Sequence, residues 1–185
     1  MSNAERSISD LEAANAVTQM QYLTFLLQKE RFAIAISHIK EIIQHCHLTI
    51  VPKMPDFISG VINLRGSVVP VVDLSSRFMG NKSKVAKRTC IVITEMAISD
   101  EEIQVVGVVV DAVDEVIDIP ITEIEPSPTF GAKIRADFIE GMAKLEDEFV
   151  IILDISKVLT AEDLNMLGAT EKLVENIADD SRIVE

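Results

Sequence analysis

Tryptophan is missing from this 185-residue chain, tyrosine occurs once, and aromatic residues make up only 4% of it. With 48% of residues apolar, the interior has to be assembled from Val, Ile and Leu rather than from stacked rings. Cysteine is nearly absent too. Cys46 and Cys90 are too few for a disulfide framework, fit a reducing compartment, and are expected to behave as buried small hydrophobes rather than reactive thiols. No run approaches the roughly 18 to 20 apolar residues of a membrane span, and Met1–Asp10 lacks the apolar centre of a signal peptide. A soluble, cytoplasmic protein without direct membrane insertion is the expectation.

Positive charge is also scarce. Net charge is -13, and between Thr89 and Ala132 there is no Lys or Arg, while Glu95, Asp100, Glu101, Glu102, Asp111, Asp114, Glu115, Asp118, Glu123 and Glu125 fall in that window. Such a surface repels phosphate backbones, so nucleic-acid binding is not expected. The one basic run, Lys82, Lys84, Lys87 and Arg88, reads as a solvated linker at least as well as a binding patch. Catalytic signatures are missing as well: no GxSxG, glycine-rich phosphate loop, HExxH or paired CxxC occurs. His38, His45, Cys46 and His47 offer nitrogen and sulfur, but neighbours in a strand point to opposite faces, so no metal site and no cofactor is expected.

What is present is a repeat. Residues 56–74, DFISGVINLRGSVVPVVDL, align without a gap on 137–155, DFIEGMAKLEDEFVIILDI, at an offset of 81, with seven of nineteen pairs identical, including Asp56/Asp137, Phe57/Phe138, Gly60/Gly141 and Asp73/Asp154. At an offset of 74, Ile39-Lys-Glu-Ile-Ile43 falls on Val113-Asp-Glu-Val-Ile117 and Pro52 on Pro126. Each copy, at about 65 to 70 residues, is small for an independent core, so the two are expected to pack as subdomains of one unit.

Local patterns place strands at Tyr22–Leu27, Arg31–Ile36, Val61–Leu64, Val68–Val72, Cys90–Thr94, Val105–Val110 and Phe149–Leu153. The Cys90 and Val105 runs are continuously apolar, as strands covered on both faces are. Ser37 as an N-cap with Ile39, Ile42 and Ile43 at helical spacing predicts a short helix. Asp56 is expected to cap one turn through Ile58, and Gly60 and Gly141 to take equivalent left-handed positions. Arg65-Gly66 and Glu146-Asp147 are the hairpin turns. Thr160, with Asp163 three residues on, opens a C-terminal helix whose apolar edge is Leu164 and Leu167, and a polar helix from Thr170 follows. Short strands at regular spacing, in two copies of about five, predict a mainly β fold of two small barrels sharing an apolar seam.

Over residues 20 to 165 the sequence resembles the CheW family of chemotaxis coupling proteins. The resemblance rests on Gln21-Tyr-Leu-Thr-Phe25, Ile39-Lys-Glu-Ile42, Phe57-Ile-Ser-Gly-Val61, Asn63-Leu-Arg-Gly66 with Val69-Pro-Val-Val-Asp-Leu74, GVVVDAVDEV at 107–116, and Pro126-Ser-Pro128, all in order. It departs at Ser75-Ser76, where an arginine often stands, and at Ala33 in place of a common glycine. The resemblance implies two pseudo-repeated five-stranded SH3-like barrels with short helices and a C-terminal helix. The implied organisation is a flexible leader over 1–19, a CheW-like domain over 20–165 (first barrel 20–84, second 85–160, with exchange of strands between them allowed), and a helical tail over 166–185. It further implies a non-catalytic adaptor joining chemoreceptor tips to the homologous regulatory domain of the histidine kinase CheA, in receptor arrays at the inner membrane. The 185 residues hold neither an ATP-binding domain ahead of the module nor a receiver domain after it, so an adaptor rather than the kinase or CheV is the expectation.

Carried over position by position, the implied partner-binding residues are Ile39, Glu41, Arg65, Gly66, Val113 and Val116. For the apolar ones a plain core role competes. Arg65 at an exposed turn is expected to pair with Glu41 or a partner's carboxylate. Competing functional readings are a scaffold of a specialised or non-chemotaxis pathway, a regulatory domain cut from a larger kinase or receiver protein, and a small metal-dependent enzyme using the histidines.

Overall fold

The computed structural model describes residues 19–127 and 134–169, together with Lys172, and is mainly β. Residues 1–18 of the expected leader, residues 128–133 and the polar helix from Thr170 lie outside the described residues, Lys172 excepted, while Gln19, the last residue of the expected leader, already belongs to the first strand.

Strands β1 (Gln19–Leu27) and β2 (Glu30–Ala35) form a hairpin that turns at Gln28 and Lys29, with φ of 48° and 70°. Positive φ at both turn positions matches the right-handed twist of the flanking strands. One 3-10 turn, Ile36–His38, leads into β3 (Ile39–Gln44). The helix expected after Ser37 is therefore a strand, and its residues alternate between half-buried and exposed along their whole length. The chain continues through β4 (Ile58–Leu64) and β5 (Ser67–Asp73) into a short helix, Leu74–Met79, capped by Asp73 and ended by Gly80 at φ 75°. Between Pro55 and β4 the expected helical turn shrinks to one hydrogen bond, Ile58 N–H to the Pro55 carbonyl at 2.9 Å.

The second copy supplies β6 (Cys90–Ala97), β7 (Ile103–Val110), β8 (Ala112–Pro120), the two-residue β9 (Ile124–Glu125), β10 (Ile139–Leu145) and β11 (Glu148–Leu153). A helix over 161–169 follows. Thr160 N–H donates to Asp163 Oδ2 at 2.9 Å and Asp163 N–H to Thr160 Oγ1 at 3.1 Å, a reciprocal cap, and Leu164 and Leu167 are buried.

By the repeat, β1 to β5 correspond to β6, β7, β8, β10 and β11. The sheets run β8-β1-β2-β11-β10-β9 and β3-β6-β7-β5-β4. Under that correspondence the two orders are the same: each sheet takes its hairpin from one copy and its remaining strands from the other. The junctions are the two parallel pairings, Ile152 with Ala33 and Val71 with Gly107. The hairpin turns repeat as well, since Arg65 and Glu146 each have φ of 52°.

Each sheet closes on itself through the segment after its first strand. Beyond β3, Thr49 bridges to Val61 of β4; beyond β8, Glu125 of β9 pairs with Met142 of β10. These crossings account for the paired glycines. A Cβ on Gly60 would lie 2.5 Å from the Thr49 carbonyl oxygen, and one on Gly141 2.5 Å from Ile124 Cγ2 and 2.9 Å from the Glu125 carbonyl oxygen. Only Gly60, at φ 149°, has a positive φ; Gly141 does not. The expected shared left-handed conformation is thus corrected: both glycines sit at register shifts where the closing segment passes too near for a side chain.

Successive side chains point to opposite faces, so each sheet contributes to two cores. Tyr22, Ala33, Ile119, Val150 and Ile152 fill one barrel, and Ile62, Val69, Val71, Ile91 and Ile93 fill the other. The outward faces meet in the largest cluster, which includes Leu23, Phe25, Phe32, Val92, Val108 and Leu153. Next to this seam the Arg77 guanidinium lies 4.5 Å from the ring centre of Phe57 and 5.3 Å from that of Phe138, which are equivalent residues of the two copies. Among the described residues no helix is long and apolar enough to cross a membrane.

Candidate functional site

Strand β3 is an edge strand on β6. Glu41 opposes Ile93 and Ile43 opposes Ile91, both barrel-interior residues, while Ile42 opposes Val92 of the seam. Residues opposite one another in an antiparallel ladder share a face, which puts Ile42 on the seam side. Ile39, three residues earlier, would face the opposite way in a regular strand. A register shift between Ile39 and Glu41 inserts one extra residue, so Ile39 opposes Thr94 and packs against the seam cluster. The spacing of three that predicts a helix is therefore a bulged strand, and the bulge restores Ile39 and Ile42 to one face.

Strand β8 repeats this on β1. Val113 opposes Phe25 and Val116 opposes Leu23, both seam residues, with Asp114 and Glu115 together facing only Thr24. The bulge leaves backbone groups of Glu115 outside the ladder, and the buried Thr24 hydroxyl takes both: its Oγ1 donates to the Glu115 carbonyl at 3.0 Å and lies 3.2 Å from the Glu115 N–H. Arg31 Nη2 lies 2.6 Å from both the Asp114 and the Glu115 carboxylates. Burial of this guanidinium disfavours its charge, but the two carboxylates outweigh that and hold its pKa above the ordinary value. Arg31 escapes a sequence reading because it belongs neither to the repeat nor to a motif, and Thr24, although part of Gln21-Tyr-Leu-Thr-Phe25, owes its role to a bulge in a strand some ninety residues away.

Ile39 and Val113 are half-buried against the same seam cluster, whereas Ile42 is 43% and Val116 54% exposed. The two edges thus present equivalent apolar pairs with different charged neighbours. At the β3 bulge stands Lys40, 3.9 Å from Glu95; at the β8 bulge stand Asp114 and Glu115.

Arg65 and Gly66 form the two-residue turn between β4 and β5, with Gly66 at φ 88° and its N–H held by Asn63 Oδ1 at 2.9 Å. Curling of the sheet carries this turn to β3, where Arg65 Nη2 meets Glu41 Oε2 at 2.8 Å. The expected pair is present. Arg65's side chain is 75% exposed and Glu41's 21%, and Glu41 Oε1 is buried with no hydrogen-bond partner.

Cys46, expected to be buried, is exposed, and Cys90 is half-buried near the seam. Cys46 lies in the irregular stretch after β3, beyond the ladder that would cover it. Among the described residues no group of three or more His, Cys, Asp or Glu could hold a metal ion.

A model of the CheW-like domain family matches residues 21–163. The chemotaxis protein CheW of Klebsiella aerogenes is 30% identical over 165 residues, covering 89% of this chain and 92% of that protein. CheW of Bacillus subtilis is 34% identical over 149 residues, covering 80% and 92%. The crystal structure of the scaffolding protein TtCheW from Thermoanaerobacter tengcongensis superposes with a TM-score of 0.70 at 35% identity, covering 78% of this chain and 90% of that one. The chain belongs to the CheW-like domain family.

Proposed function

We propose that this protein is a non-catalytic adaptor of bacterial chemotaxis, coupling the cytoplasmic tips of chemoreceptors to the histidine kinase CheA through the kinase's homologous domain. The observation that carries this reading is the pair of equivalent bulged edges, Ile39 with Ile42 and Val113 with Val116, each extending the seam cluster to the surface. An apolar strip of this kind suits an amphipathic helix, whose own anchors recur at a spacing of three to four residues. The charged neighbours of the two edges differ, a Lys40–Glu95 pair on one and two carboxylates sharing Arg31 on the other, so they favour different partners. Arg65 offers a further charged contact beside the first edge. Relatives named as chemotaxis and scaffolding proteins support the same reading. In this account the chemistry is association only, and the protein works at the cytoplasmic face of receptor arrays.

The reading is tested by titrating the full chain with a receptor cytoplasmic fragment and, separately, with the kinase regulatory domain. Saturable binding of both is expected. Binding of neither, or a phosphotransfer or hydrolytic activity of the chain alone, would overturn it.

A further inference from the structure

The basic run that looks like a plain linker has a more definite setting in three dimensions. Lys82 and Lys84 converge with Lys29, of the β1–β2 turn, around a cleft of about 690 Å³ that is also lined by Gln28, Ser75, Asn81, Ser83 and Asp111. Three lysines against one aspartate make this a positive island on a chain of net charge -13. Both lysine-bearing segments are fixed. Asp73, itself buried, accepts from the Ser83 N–H and the Ser83 hydroxyl, each at 2.7 Å, and so pins the backbone between Lys82 and Lys84. Asp111 Oδ2 accepts the Gln28 N–H at 2.7 Å and holds the turn that carries Lys29. Asp111 is thereby engaged in the wall, and among the described residues none of the three lysines forms a salt bridge.

Ser75 is fully buried at the cleft, and its hydroxyl has no hydrogen-bond partner. A buried hydroxyl left unsatisfied is costly and calls for an acceptor. Lysines supply point charges suited to phosphate oxygens, and the volume falls in the range of small-molecule sites. We infer that this cleft, at the junction of the two copies, binds a phosphate-bearing small molecule, with Lys29, Lys82 and Lys84 neutralising its charge and the Ser75 hydroxyl donating to it.

The test uses the full chain, inorganic pyrophosphate as probe, and constant ionic strength, followed by calorimetry and by amide shifts in NMR. Saturable binding is expected, with shifts at Gln28, Lys29, Ser83 and Lys84. The double variant Lys82→Glu/Lys84→Glu should lose affinity roughly tenfold or more, since two charge-assisted contacts become repulsive. Ser75→Ala should weaken binding at an unchanged melting temperature. Citrate serves as a carboxylate control of similar charge. The inference is overturned if pyrophosphate does not saturate, if the lysine variant binds as the wild type does, or if citrate binds equally well.

Discussion

At the scale of single residues, the clearest case is the ion pair of Arg65 with Glu41. An exposed turn arginine contributes about 0 to 1 kcal/mol to stability, so Arg65→Ala should leave urea melts nearly unchanged. Glu41→Ala should behave alike in stability, because it also removes the buried, unpartnered Oε1. A double-mutant cycle run once on unfolding and once on receptor or kinase binding separates the roles: the coupling should appear in binding and be small in folding. The glycines make a different point. Gly60→Ala places a Cβ against a backbone carbonyl at a positive φ, whereas at Gly141 the nearest obstacle is a side-chain methyl and φ is not positive. Both should destabilise, Gly60→Ala more, by about 1 to 3 kcal/mol for overpacking of this kind, as read from chemical denaturation. Their equivalence was legible in the repeat. The reason for it was not, because it depends on a segment eleven residues away in the first copy and sixteen in the second, crossing over each glycine.

At the scale of elements, the bulged strands β3 and β8 carry the account. Ile42 and Val116 are exposed beside the seam, so Ile42→Asp and Val116→Asp should fold normally and weaken partner binding. Ile39→Asp should cost stability as well, since Ile39 packs on the seam cluster. Circular dichroism beside a pull-down distinguishes the two patterns; an unfolded Val116→Asp would make that residue core. Thr24→Val tests the bulge itself. Removing the hydroxyl strands the Glu115 N–H and carbonyl, and about 1 to 3 kcal/mol should be lost in thermal or urea unfolding. Hairpins, the continuously apolar central strands and the Thr160/Asp163 cap could all be read from local pattern. The β3 edge could not: one extra residue in a period of two mimics the three-residue step of a helix, and only the register against β6 tells them apart.

At the scale of the whole molecule, the two copies are interlocked. The repeat identifies which strands are equivalent but not which copy each hairpin joins, since Val and Ile runs fit either neighbour. With β1 and β2 lying between β8 and β11, a fragment covering residues 20–84 lacks both neighbours of its own hairpin. It should be unfolded alone, and the full chain should melt in one transition; an independently folded fragment would argue against the exchange. The same interlocking keeps the β3 and β8 edges in fixed relation to one seam, as an adaptor between two partners requires. The most direct measurement is sedimentation of the full chain mixed with a receptor cytoplasmic fragment and the kinase regulatory domain. The account predicts a ternary complex that Val116→Asp or Arg65→Ala weakens without unfolding the protein. Competition between the two partners for the chain, with no ternary species at any ratio, would contradict it.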